Sequence, residues 1–592
     1  LDILNGSSIS GNNAGTDGGG IFNNDSLTID SATVASNTAS GNAATNGGGG
    51  IFNSGGTVTT DGATISNNDA DGTSGSGGGI FNDTGGTLDI NSSSISGNDA
   101  NRAGGGIEEN SGYYPYSAFN NFSVQLDDVT ISNNTAGAPG APNPGNGGGV
   151  HITGAGSVDI QGAATVIEDN VAAAEGGGLW NSSTGGLRLQ GAITVQNNEA
   201  QGDAADQGGG GIFTDGGTVI ITGTALIQNN DATGTSGSGG GIFSAGGGTD
   251  ANGNPAVFNV LGATIQGNTG NGGGAGIEVV DGTFNITDST VDGNGVATTP
   301  DAGGGIRISG SGEVDMNRGT VSNNQADEGG GVWVSATGTF IGVNSTISGN
   351  EATGGDGGGI FNVGGGTVDL HSTTITDNEA SSGVGSGIAG GAGGVSLQNT
   401  IVAQNPGGGT EENLSGTIDS DDHNVIGDPD DGTVVGDTTH TIFGANALLG
   451  PLQNNGGFTE THLPSAGSPA VDNGNALNTD NSTELSDDQR GTARPQGARD
   501  DIGSVEVQLD GETIASGDPN DGTPDEFVLT LDDQGNDDPS DDEIIVTVNG
   551  APHAASPLPA NTTGQITING SRDDDTLVLD NSGGMIRADI IF

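Results

Sequence analysis

The stretch "DGGGIFNNDSLTID", residues 17–30, sets three glycines before an aliphatic, an aromatic and an asparagine, and then alternates apolar with polar positions. The phrase returns as "NGGGGIFNSGGTVTTD" from Asn46, "SGGGIFNDTGGTLDI" from Ser76 and "DGGGIFNVGGGTVDL" from Asp356. Aligning the chain on an aliphatic followed three positions later by asparagine gives a ladder. Its members are Asn12, Asn37, Asn68, Asn98, Asn134, Asn170, Asn198, Asn230, Asn268, Asn294, Asn324, Asn350, Asn378 and Asn405. Their spacing of 25 to 38 residues is that of a solenoid or array.

Within each repeat the apolar residues alternate, as in "GTVDL" (366–370) and "GTFNI" (282–286), the period of a half-buried strand. No window sustains a helical period. Each repeat therefore reads as three short strands, and a chain that winds them into a coil pairs every strand with its counterpart one turn away. The expected fold is all-β: a right-handed parallel β-helix of about 14 three-strand rungs. A loop-rich module and a small β-rich segment would follow. Glycine and asparagine suit the corners, where backbone must take positive φ or approach closely, and stacked asparagines can bond along the axis.

"GGGIFN" (18–23, 48–53, 77–82, 357–362) resembles the repeats of polymorphic outer-membrane proteins and of right-handed parallel β-helix surface proteins, over residues 1–405. After Asn405 the glycine triplets followed by an aliphatic stop. "GPLQNNGG" (450–457), "GSPAVDNG" (467–474), "DQRG" (488–491) and "DIG" (501–503) resemble the choice-of-anchor Q domain, although Phe458 stands where that family usually has proline. The resemblance implies a place in a secreted, surface-attached protein and brings no catalytic residues. The expected domains are thus 1–405, the β-helix; 406–507, the module packed on the last rungs; and 508–592, an acidic β-rich segment.

Composition narrows the function. Of 592 residues 120 are glycine and only 30% are hydrophobic, so no thick core fits, and regular repetition alone excludes a disordered acidic chain. The formal charge is −65 and all nine basic residues are arginine, a surface that repels nucleic acid and anionic membranes. Cysteine is absent, which removes disulfides, thiolate metal sites and cysteine nucleophiles. No apolar run reaches the length of a membrane span. The chain opens in what reads as the middle of a repeat, as though it were a part of something longer.

Candidate contact residues fall into two groups. The position after the glycine-triplet aliphatic is aromatic at Phe22, Phe52, Phe81, Trp180, Phe213, Phe243, Trp333 and Phe361. With the aliphatic inside, these rings point outward and could contact a glycan or partner, or stack on one another under neighbouring loops. The insertion "NSGYYPYSAFNNF" (110–122) carries Tyr113, Tyr114, Tyr116, Phe119 and Phe122, either as a protruding contact loop or as a cover over one flank.

Arg490, Arg494 and Arg499 among Asp487, Asp488, Asp500 and Asp501 suggest an internal ion network that fixes the module. "NGSRDDDT" (569–576) resembles calcium-binding repeat-in-toxin phrases, which makes Asp573, Asp574 and Asp575 calcium candidates; a solvated acidic turn is the other reading. No cofactor is required by any motif. The six histidines show no metal-ligand spacing, and no complete lyase, glycosidase or epimerase motif is present.

These features together point to a non-catalytic, secreted or cell-surface structural or adhesive protein. Its rod could associate head to tail through open β edges or bind a surface glycan. A polysaccharide-binding or polysaccharide-cleaving β-helix is the alternative.

Overall fold

A computed structural model of the chain describes residues 1–112, 122–137, 144–249, 255–391, 394–407, 410–429, 431–465, 467–475, 485–497 and 499–507. In the last segment it describes 510–515, 526–532, 543–552, 558–559, 563–569, 576–580 and 589–591. Among the described residues all regular structure is strand, and the fold is a parallel β-solenoid of about 13 turns, close to the 14 that the sequence suggests.

Most turns contribute three principal strands and a two-residue fourth. In one turn these are Ile80–Asp83, Thr87–Asn91, Ser94–Ser96 and Asp99–Ala100. Every one pairs in parallel register with the same strand of the next turn, for example Ile80 with Ile107, Leu88 with Val124 and Ile95 with Ile131. Register holds although turn length varies, because the differences in length fall between the paired strands. One aliphatic column after another fills the interior, and the resulting core runs from Ile3 to Ile426.

The corners show why asparagine repeats. Each ladder asparagine from Asn37 to Asn378 donates its backbone N–H and its Nδ2 to Oδ1 of the next, as Asn98 does to Asn134 at 3.0 and 2.9 Å. The side chain thus satisfies corner groups that no strand can reach. The left-handed residue is the one before it: Ser36, Asn67, Asn133, Asp169, Asn197, Asn229, Asn323, Asp377 and Gln404 all have φ between 53° and 60°, and glycine holds the other five such positions. The glycine triplet packs directly over this corner. A Cβ on Gly50 would lie 2.6 Å from the Gly79 carbonyl oxygen and 2.9 Å from Asn68 Nδ2, which forbids any side chain there.

The coil runs on past Asn405, beyond the boundary expected from the loss of glycine triplets. Asn405 donates to Asn413 only eight residues later, adding one more member to the ladder. Without a triplet corner, the single strand Leu414–Asp421 pairs with both Ile388–Gly390 and Val395–Gln398. Asp431–Asp437 then lies on it, Asp421 opposite Asp437, while Val425–Ile426 and Ile442–Phe443 extend the third strand row to a 16-stranded ladder.

The described residues of 446–507 form only isolated bridges, such as Leu449 with Pro464, and lie against the outer face of that third row. In the last segment Glu526–Asp532 pairs antiparallel with Glu543–Val548 and parallel with Thr576–Asp580, and Asp510–Ala515 pairs with Thr563–Asn569. Phe527, Leu529, Ile544, Val546, Leu558, Ile566 and Ile568 form its separate core.

Candidate functional site

The aromatic column is the first place to look for a binding surface. Its positions are in register, Phe22 over Phe52 over Phe81, and then Glu108, His151, Trp180, Phe213 and Phe243. Strand spacing brings successive rings into stacks: 5.0 Å between the centroids of Phe52 and Phe81, 4.3 Å between His151 and Trp180, 4.9 Å between Phe213 and Phe243. A ring with neighbours above and below has both faces covered. Phe52, Phe81, Phe213 and Phe243 are accordingly buried, Trp180, Trp333 and Phe361 half-buried, and Phe22 alone of the eight is exposed, at 55%. The four buried rings offer no open face, while Phe22, Trp180, Trp333 and Phe361 keep some exposed surface.

The charged interruptions are closed in the same way. Glu108 is buried, with His151 Nδ1 3.0 Å away, Thr153 Oγ1 donating at 2.6 Å and Arg102 at 3.8 Å. Arg307 pairs with Glu278 at 3.4 Å and covers the Trp333 ring at 5.2 Å.

A second interior ladder runs from Asn23 to Asn53 to Asn82, each Nδ2 donating to the next Oδ1 at 2.8 Å, and ends on Glu109, to which Asn82 donates at 2.6 Å. Burial pushes Glu109 up to about 7, against the hydrogen bonds from Asn82, Ser111 and Ser123 that favour its charged form. The same cause, desolvation, raises Glu175 to about 7 beside Trp180.

The docked module meets the rod through a buried polar seam. Gln489 is its centre: Nε2 donates to the Gly319 carbonyl, Thr320 and Thr459, while Oε1 accepts from Thr346 at 2.6 Å. Ser504 bonds Thr374, His462 Nε2 lies 2.8 Å from Ser348 Oγ, and Asn344 donates to the Asp487 carbonyl.

The expected ion network is rearranged. Arg490 pairs with Asp488 at 2.8 Å, and the fully buried Arg494 with Glu506 at 3.0 Å, so the carboxylate that matters to Arg494 lies outside the expected set. Asp487 lies 3.8 Å from Arg318 of the rod, Asp500 is buried, and Arg499 is exposed rather than locked in the network. Burial, reinforced by Glu506, pushes Asp501 up to about 8.

The scattered histidines contain a grouping that linear spacing hides. Where the last turns shrink, Asp422, His423 and His440 converge, with one ligand-type atom of each within 4.8 Å of the others. His440 Nδ1 is 2.6 Å and His423 Nδ1 3.3 Å from Asp422 Oδ2, and the two rings stack at 4.6 Å. Oδ1 of the same carboxylate accepts from the His440 backbone N–H at 2.5 Å. Burial tends to raise the Asp422 carboxyl, but hydrogen bonds led by His440 outweigh it and hold the group below its usual range. His423 is lowered, chiefly by burial, which keeps its imidazole neutral and able to donate a lone pair.

Tyr113, Tyr114, Tyr116 and Phe119, and the calcium candidates Asp573, Asp574 and Asp575, lie outside the described residues. Among the described residues no helix is long and apolar enough to cross a membrane.

The fold places the chain among the parallel β-solenoid proteins. No protein-family model matches the sequence, and neither curated proteins nor solved structures yield a match.

Proposed function

We propose that this chain is a non-catalytic structural element of a secreted or cell-surface protein, a stiff acidic rod that spaces and displays what is attached to it. The observation that carries the reading is the asparagine ladder, continuous from Asn12 to Asn413. Such a spine makes each turn a fixed step and resists bending, since bending would stretch bonds on one side of the axis. The aromatic column supports the same reading, because its rings are spent on each other. A surface of net charge −65 keeps such a rod solvated and apart from other polyanions.

Electron microscopy of the purified chain tests this. Straight particles with a coil near 60 Å, from about 13 turns at roughly 4.8 Å each, are expected. Head-to-tail filaments in the same images would extend the reading to a fibre subunit. Turnover of a polysaccharide by the purified chain would overturn it.

A further inference from the structure

We infer that Asp422, His423 and His440 form a binding site for one divalent transition-metal ion of the zinc type, which staples the shortened last turns of the solenoid. Three observations carry this. The donor set is two imidazoles and one carboxylate, the combination that suits zinc and its neighbours, whereas calcium and magnesium prefer oxygen alone. The separations fit: ligand atoms around a four-coordinate zinc at 2.0–2.1 Å stand roughly 3.3 Å apart. His423 Nδ1 already lies at 3.3 Å from Asp422 Oδ2, and His440, whose side chain is 55% exposed, has room to swing out from 2.6 Å.

The third observation is an unmet need. His423 Nδ1 is buried and makes no hydrogen bond among the described residues, although Asp422 Oδ2 lies 3.3 Å away. A cation between the two imidazoles and the carboxylate would satisfy all three at once. The carboxylate is pre-oriented for it, since Oδ1 is held by the His440 backbone N–H and Oδ2 is left facing the rings. Asp422 and His423 are also consecutive left-handed residues, at φ 74° and 52°, so the chain turns sharply at the site. The surroundings carry both signs: Asp437 faces the site from the next turn and Arg499 from the docked module.

The position explains the purpose. Past Asn405 no glycine triplet runs into an aliphatic strand, and Asp422 and His440 follow the strands Leu414–Asp421 and Asp431–Asp437 at the corner where their seven-residue pairing stops. A metal across them would tie together the corner between the second and third strand rows of the last two turns.

The test is cobalt(II) titration of the full chain in excess calcium, which occupies non-specific carboxylate sites. Saturation at one equivalent with visible d–d absorption, displaced by zinc, is expected, together with a higher melting temperature of the zinc-loaded chain. His423→Ala and His440→Gln should each abolish the saturable phase; because His440 is largely exposed, His440→Gln keeps its fold, verified by circular dichroism. Equal cobalt uptake by wild type and a folded His440→Gln variant, or no saturable uptake by wild type, would overturn the assignment.

Discussion

Replacing Asn198 by alanine isolates the ladder in its middle. Asn198 is fully buried; its Oδ1 accepts from the Asn170 backbone N–H at 3.1 Å and from Asn170 Nδ2 at 2.9 Å, and its Nδ2 donates to the Ile167 carbonyl and to Asn230 Oδ1, both at 2.9 Å. Truncation removes four hydrogen bonds. Asn170 Nδ2 keeps the Ile131 carbonyl, and Asn230 Oδ1 keeps the Asn198 backbone N–H, so the lasting orphan is the Asn170 N–H. An unsatisfied buried donor costs ~1–3 kcal/mol and each of the three other lost bonds ~1 kcal/mol, a total of about 4–6 kcal/mol. Urea unfolding measures the total, and hydrogen exchange should show the loosening concentrated in the turns beside Asn170 and Asn230. Asn12, exposed and bonded on one side only, is the control, with an expected loss below ~1 kcal/mol for Asn12→Ala. If Asn198→Ala costs no more than Asn12→Ala, the ladder is decoration and the argument for a bonded spine fails.

Other outcomes follow from the same contacts. Phe81→Ala should destabilise by ~3–5 kcal/mol, and Phe22→Ala by less than ~1 kcal/mol, because only the first ring is enclosed; equal effects would contradict the stacked column. Glu109 has a folded pKa of about 7 above an ordinary 4.5, so the folded state binds the extra proton between these values and stability falls as pH rises through that window. The total is on the order of 3 kcal/mol, and a pH series of unfolding curves should flatten in Glu109→Gln. Gln489→Ala should release residues 446–507 from the rod, seen as faster proteolysis within the module while the turns before Gly319 stay protected.

The coil could be read from the chain because its cause is periodic. One aliphatic per strand and one asparagine per corner repeat often enough to show through loops of any length. What escaped were relations across the axis. Alternation places Phe52 and Phe213 outside the aliphatic column and leaves contact with a partner and mutual stacking both open; the register shows each of these rings covered by the next. Asparagine at a corner suggested positive φ at that residue, whereas its predecessor takes the strain and the asparagine side chain does the bonding. His423 and His440 are 17 positions apart and match no local ligand spacing. They meet because the turn there has contracted, Asp421 pairing with Asp437, which is visible only once the register is known. Arg494 likewise takes Glu506 over nearer aspartates because the loop folds back on itself.

The ladder has a direction, since each asparagine from Asn37 to Asn378 donates its backbone N–H and its Nδ2 to Oδ1 of the next and receives on its own Oδ1 from the one before. A turn removed or duplicated as a unit would therefore leave its neighbours facing the same partners as before. Length in this molecule is a quantity that can change in whole steps of about 4.8 Å without a new packing problem at each step. Gene duplication within the repeat would act on such a rod as a ruler adjustment, and related chains of different reach need share only the corner.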